Sequence, residues 1–297
     1  MLSNSTTVSF SMMTRAKAFF ELLKFRLSFL VAFSGAIGYL LASGRAINWN
    51  SLVFFALGGF LVTGSANIIN QIIETDLDKL MSRTMNRPLP TGKISSVEAT
   101  LFSFLLGGVG LYLLLIYTNI PTTLLTLMSS ILYGFVYTPL KRKGPIAVFV
   151  GAIPGALPPL IGWCAAAGNI TYEALLIFGI QFIWQFPHFW AIAWVLDDDY
   201  KKAGFKLLPA NGAKDVNTAF QLMIYSLCLI PLGLFPYMVG MTGKISAIIT
   251  TLCGVLFLMQ NIYLMKKCSR EAAMQLMFGS FVYLPVVQIA LVFDKIP

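Results

Sequence analysis

Apolar runs of about 18 to 25 residues, broken by short polar stretches, fill the chain from residue 27 to residue 293. A helix needs about 20 apolar residues to cross the hydrocarbon core of a bilayer. Only helices and closed barrels satisfy their backbone there. The pattern predicts nine membrane-spanning helices, over 27–44, 51–73, 97–117, 122–139, 146–167, 172–196, 218–240, 245–265 and 272–293. The expected fold is an all-α, polytopic integral membrane protein. Residues 1–20 are expected to form a flexible N-terminal segment, Ser/Thr-rich at its start, and 21–297 a single transmembrane domain.

Composition agrees with that pattern and excludes an ordinary water-soluble protein. Hydrophobic residues make up 57% of the chain and charged ones 11%, and the mean hydropathy is +0.78. A soluble domain averages roughly 25% charged residues. All 21 Lys and Arg fall on the N-terminal side of the nine-span arrangement except Arg45, Lys244 and Lys295. The positive-inside rule then puts the N-terminus in the cytoplasm and the C-terminus outside. Topology and attraction to anionic lipid account for the net charge of +9, so no nucleic-acid partner is implied. Cys164, Cys228, Cys253 and Cys268 are too scattered for a disulfide framework or a metal site.

Two inward loops, 74–96 and 197–217, carry the polar chemistry. Asn70, Glu74 and Asp78 stand four residues apart, so on a helix they share one face. Acidic groups at membrane depth face a protein interior or an aqueous cavity. Lys79, Arg83 and Arg87 follow directly, and Pro88, Pro90 and Gly92 bend the loop back towards the carboxylates. Carboxylates hold magnesium and arginines fork onto phosphate oxygens, so the pair suits a magnesium-bound diphosphate. Asp76, between the register positions, is a further candidate metal contact. The plain alternative is a loop whose arginines only anchor topology.

In the second loop Asp197, Asp198 and Asp199 are consecutive at a helix end, where they repel one another and oppose the macrodipole. A second magnesium at Asp198 and Asp199 would resolve both conflicts, as would solvation. Lys141 and Arg142 close span 4 one turn beyond Tyr137 and are placed either to reach a diphosphate or to anchor the helix. His188, the single histidine, lies among Trp184, Gln185, Phe186, Phe189 and Trp190. It is read either as a hydrogen-bonded core residue or as a substrate contact, with haem iron as the obvious partner. No Cys-x-x-Cys-His sequence occurs, so such a haem would be a non-covalent guest. Gly151, Pro154, Gly155, Pro158, Pro159 and Gly162 in span 5 predict a broken helix lining a cavity for a flat ligand.

Taken together, these motifs resemble the UbiA superfamily of intramembrane prenyltransferases. The stretch from Asn70 to Gly92, with Arg83-Thr84, Asn86-Arg87-Pro88-Leu89-Pro90 and Gly92, carries the superfamily signature. The runs Tyr137–Arg142, Gly151–Trp163, Pro187–Trp194 and Asp199–Pro209 are similar to the branch that farnesylates haem. Two departures stand out. Glu74 occupies a position where the family has aspartate, and Val195 stands four residues before Asp199, so an Asp-x-x-x-Asp pair is absent.

The resemblance implies about nine helices around a central cavity. It also implies transfer of farnesyl from farnesyl diphosphate to a vinyl group of haem B, with water added, giving haem O and diphosphate. Mg2+ is the implied cofactor, held by Asn70, Glu74 and Asp78 and at a second site by Asp198 and Asp199, while haem B is a substrate. Lys79, Arg83, Arg87, Lys141, Arg142 and Lys206 would clamp phosphate oxygens. Tyr137, Trp184, Phe189 and Trp190 would line the substrates, with Phe186, Phe189 and Trp190 offering π faces to the allylic cation. The implied location is the inner or plasma membrane of the cell, with the site towards the cytoplasm. A haem A synthase or a terminal-oxidase assembly factor is the implied partner. Prenylation of an aromatic quinone precursor and secondary transport are the rival functions. A haem-binding electron carrier has too few histidines for paired axial ligation.

Overall fold

The computed structural model describes residues 11–44, 46–209 and 212–296. Arg45, one of the three charges expected on the outer side, and residues 1–10 of the N-terminal segment lie outside the described residues. The chain forms α1 (Met12–Leu22), α2 (Phe25–Ala42), α3 (Trp49–Ile73), α4 (Thr75–Asp78), α5 (Ser96–Tyr117) and α6 (Ile120–Ile131). A π-helical turn over Leu132–Tyr137 leads into α7 (Thr138–Leu140). Then come α8 (Ile146–Ala167), α9 (Tyr172–Lys202), α10 (Val216–Met238), α11 (Lys244–Lys267) and α12 (Arg270–Phe293).

Among the described residues nine helical segments are long and apolar enough to cross a membrane, the fourth being the composite Ile120–Leu140. Their ends fall within a few residues of the expected spans. The outer helices carry their apolar side chains outwards. Leu101, Phe104, Leu105 and Tyr112 of α5 are each more than 60% exposed, a surface that lipid rather than water must cover. Helix starts follow local chemistry. Ser95 and Glu98 form a capping box on α5, and Asn48, Asn119, Asp215 and Ser269 cap α3, α6, α10 and α12.

Residues 11–20 do not form the flexible segment expected of them. They belong largely to α1, whose Ala18 and Leu22 pack with Ile68, Leu89, Ile94 and Ala99. That small core ties the N-terminal helix to α3 and to the loop after it.

α8 is the innermost helix, with most of its side chains buried. It packs closely on α2. A Cβ added to Gly38 would lie 1.9 Å from the Pro159 carbonyl oxygen, and one on Gly162 would lie 1.8 Å from that of Gly35. Only glycine allows backbones this near. Contrary to expectation α8 is unbroken, although Pro154, Pro158 and Pro159 lie inside it. Proline removes the donor to the carbonyl four residues earlier, and side chains from neighbouring helices replace some of those donors. Gln181 Nε2 donates to the Gly155 carbonyl at 2.8 Å, and Ser129 Oγ lies 3.5 Å from that of Pro154.

The helices enclose a cavity of about 460 Å³ between α2, α3, α6, the π turn, α8, α9 and α12. Gly151, Pro154, Gly155 and Pro158 form its α8 wall, as expected of a cavity-lining helix. Leu27, Leu30 and Phe281 line it and are also exposed, so it reaches the outer, lipid-facing surface of the bundle.

Candidate active site

The helical register of α3 carries Asn70 inwards, and the short α4 continues the same face to Asp78. Asn70, Glu74 and Asp78 are each no more than 4% exposed. Each has its own cation. Lys24 Nζ donates to Asn70 Oδ1 at 3.0 Å, Lys141 Nζ lies 2.9 Å from Glu74 Oε1, and Arg87 Nη1 donates to Asp78 Oδ2 at 2.7 Å. Asn70 Nδ2 donates to Glu74 Oε2 at 3.0 Å and to Thr138 Oγ1 at 3.1 Å, joining the stripe to α7. The π turn sets Tyr137 under Lys141, whose ammonium lies 5.0 Å from the ring centroid.

Lys24 was legible in the sequence only as an inward topological charge. It stands at the start of α2 with a left-handed backbone (φ 47°), which aims the chain into α2 beside Asn70. Burial, with Arg87 and Lys141 nearby, pulls its ammonium down to about 7. Burial is the largest single influence on the Lys141 ammonium and disfavours it. The charge and hydrogen bond of Glu74, together with Tyr133 and Tyr200, more than offset it and raise that group above the ordinary lysine value.

Asp78 Oδ1 is buried with no hydrogen-bond partner. An unmatched carboxylate oxygen in the interior is costly unless a cation answers it. The stripe thus fits magnesium, which binds through one or two carboxylates and shares the oxygens of a phosphate ligand. Among the described residues no group of three or more His, Cys, Asp and Glu side chains is gathered for a metal. The phosphate share of the coordination is therefore essential to the fit.

Other expected members lie elsewhere. Asp76 is 90% exposed and pairs with exposed Lys79 at 2.9 Å, so both point away from the stripe. Arg83, Arg142 and Lys206 are exposed, and Arg83 meets the second loop through its backbone instead. Asp198 and Asp199 do not converge on a cation site. Asp198, 83% exposed, pairs with Lys214 at 3.2 Å. Asp199 accepts the backbone N–H groups of Ser82 and Arg83 at 2.9 and 3.2 Å and an ammonium hydrogen from Lys202 at 3.1 Å. Its role here is to clip the first loop to the end of α9. Asp197, which has no part in the expected metal site, is the buried one of the three and pairs with Lys201 and Lys214.

Deeper in the cavity, His188 stacks on Trp184 with ring centroids 4.2 Å apart, and Phe189 lines the wall beside it. Ser280 Oγ donates to the Met277 carbonyl at 2.6 Å, so it must accept from His188 Nδ1, 2.8 Å away. That bond fixes the tautomer and leaves Nε2 with a free lone pair. Phe186 and Trp190 do not offer faces to the cavity. They pack on Tyr225 of α10, at 4.4 and 5.3 Å between centroids.

A buried carboxylate stripe with its cations, next to an apolar cavity that begins at Tyr137 inside a helical membrane bundle, defines a site for a lipophilic diphosphate. Residues 30–284 match the model of the UbiA prenyltransferase family, and the chain belongs to that family. It is a prenyltransferase. It is 54% identical to a protoheme IX farnesyltransferase of Cytophaga hutchinsonii, over 96% of this chain and 100% of that one. Its fold is similar to that of a digeranylgeranylglyceryl phosphate synthase, with a TM-score of 0.78 at 23% identity, covering 94% of this chain and 98% of the other. A UbiA homologue from Archaeoglobus fulgidus bound to DMAPP and Mg2+ matches with a TM-score of 0.69 at 17% identity, over 90% of this chain and 99% of that one.

Proposed function

We propose that this prenyltransferase joins the farnesyl group of farnesyl diphosphate to a vinyl group of haem B, adds water, and releases haem O and diphosphate. The relative from Cytophaga hutchinsonii supports the acceptor, and one observation on the chain carries it. A single cavity runs from Tyr137, at the diphosphate cluster, to His188, whose Nε2 lone pair is left free by Ser280. That nitrogen suits haem iron, and the aromatic walls of Trp184 and Phe189 beside it suit the macrocycle.

The diphosphate enters between the stripe and the cations beside it. Lys24, Lys141 and Arg87, now held by Asn70, Glu74 and Asp78, exchange those partners for phosphate oxygens. Charge that builds on the leaving group thus meets fixed donors in a dry site, the geometry in which such stabilisation is strongest. Asn70, Glu74 and Asp78 would hold magnesium, which when bound neutralises charge on the departing diphosphate. Apolar walls keep bulk water from the allylic cation until the vinyl carbon captures it. The excess of Lys and Arg on one side of the spans supports a cytoplasmic position for this chemistry.

Purified protein given farnesyl diphosphate with haem B and hydroxybenzoate together should yield haem O by mass spectrometry; prenylated hydroxybenzoate in its place would overturn the acceptor. His188→Ala should weaken haem B binding about tenfold or more while leaving farnesyl diphosphate affinity within about twofold. Equal loss of both affinities would remove the histidine from haem recognition.

A further inference from the structure

Four buried amide side chains line the cavity, and three of them are engaged. Asn67 donates to Ser28 Oγ at 3.1 Å and accepts from the Tyr133 hydroxyl at 3.3 Å. Gln288 donates to Gln181 Oε1 at 2.8 Å and to Ser34 Oγ at 2.7 Å. Gln181 also donates to the Gly155 carbonyl. Gln185 differs. It is 5% exposed, lines the cavity, and has no hydrogen-bond partner among the described residues. A primary amide turned to an apolar cavity is costly when left unpaired, so an unengaged one calls for a ligand.

Its position is informative. A Cβ on Gly155 would lie 2.8 Å from Gln185 Nε2, and a Cβ on Gly151 would lie 2.6 Å from the Tyr137 ring. Gly151 and Gly155 are one turn apart on α8, a rise of about 6 Å. Gln185 therefore stands one turn deeper than Tyr137, which itself lies under the Lys141–Glu74 pair. His188 follows three residues later on α9, on the same face. α9 runs antiparallel to α8, its Asp199 end lying against the first loop, so His188 stands nearer the diphosphate cluster. Gln185 flanks it on the far side, beside the space that a porphyrin bound at His188 and its vinyl groups would fill.

The reaction generates a choice at that point. The terminal vinyl carbon bonds to C1 of farnesyl as the C1–O bond breaks, its electron pair leaving with the diphosphate. Positive charge then rests on the vinyl carbon attached to the porphyrin. If a water oxygen bonds there and loses a proton to the diphosphate, the product is an alcohol. If the neighbouring carbon loses the proton instead, the product is an alkene. In an apolar cavity the alcohol requires a water held in place, and a water needs polar partners to stay. An amide supplies one acceptor and two donors but is no base, so it can aim a water without removing the proton itself.

We propose that Gln185 holds the water that adds to the farnesylated vinyl group, and thereby makes the product an alcohol rather than an alkene. The inference rests on haem B as acceptor.

The test is the product ratio of the full-length Gln185→Met protein given haem B and farnesyl diphosphate, read by mass spectrometry with 18O-labelled water. The alcohol-to-alkene ratio should fall about tenfold or more, with the lighter, dehydrated product accumulating and diphosphate release continuing. Gln185→Glu keeps an acceptor oxygen at the same reach and should restore the labelled alcohol. Gln185→Leu gives the same readout should the methionine variant fail to fold. An unchanged ratio, or a parallel fall in alcohol and diphosphate release with no alkene, overturns the proposal. If the native chain makes no farnesylated porphyrin, the acceptor reading fails and this inference falls with it. The two failures are thus told apart by the native control.

Discussion

The two polar loops begin alike in sequence, with acidic residues at a helix end followed by lysines or arginines, yet they become different things. In the first, Asn70, Glu74 and Asp78 are all buried and each meets a separate cation. In the second, Asp197 is buried, Asp198 lies in the open and Asp199 reaches across to the backbone of Ser82 and Arg83. Spacing explains the divergence. Residues four apart on a helix point the same way, whereas consecutive ones are turned by about 100°. A run of three aspartates therefore addresses three environments, and only a spaced stripe can converge on one ligand. The second loop supports the first by fixing its position.

The strongest challenge to that contrast is Asp78→Ala. It removes the carboxylate whose Oδ1 has no partner and leaves Arg87 without its pair. Diphosphate release should drop by about 10³-fold or more with the protein still inserted and folded. Near-normal turnover would take Asp78 out of the metal site. Next comes the second loop. Asp199→Asn weakens two charge-assisted bonds to the first loop and should lower turnover about tenfold, with faster proteolysis at residues 82–86. Asp198→Asn should stay within about twofold, since its carboxylate is 83% exposed and its ion pair is screened by solvent. An Asp198 variant as damaging as the Asp78 one would erase the distinction between the loops.

The periodic features of the chain were legible and the encounters between distant elements were not. Apolar run lengths define the nine spans, and the four-residue spacing defines the inward face of α3 and α4. Tyr137 and Lys141 were readable as neighbours for the same reason. Periodicity does not say what packs against a face. Lys24 meets Asn70 across 46 residues, and Ser280 meets His188 across 92. Phe186 and Trp190 share an aromatic run with Phe189 but turn to Tyr225 on α10, where no motif pointed. The second-loop aspartates were read by residue type, and the backbone donors that occupy Asp199 carry no sequence signature. Even α1 was hidden, because its burying face has only small and aliphatic residues, Ala18 and Leu22.

Lys24 offers the finest test, because it belongs to the first site by position and to neither loop by sequence. Its pull on a bound phosphate depends on its proton. Burial lowers it to about 7, so it is an ammonium in mildly acidic medium and increasingly neutral above that value. The farnesyl diphosphate affinity of metal-free protein should therefore fall about three- to tenfold between about pH 6 and 8, as one phosphate partner is lost. The ligand itself gains negative charge over the same range, which works in the opposite direction, so the comparison must be made against a variant. Lys24→Arg keeps its charge throughout and should show only the ligand's own titration. Lys24→Met should likewise show only the ligand's own titration, but with the weaker affinity that the native protein reaches at about pH 8, while haem B affinity stays unchanged. If the arginine variant and the native protein gave superimposable profiles, Lys24 would be only the hinge into α2. The converging cations of the first site would then reduce to Lys141 and Arg87.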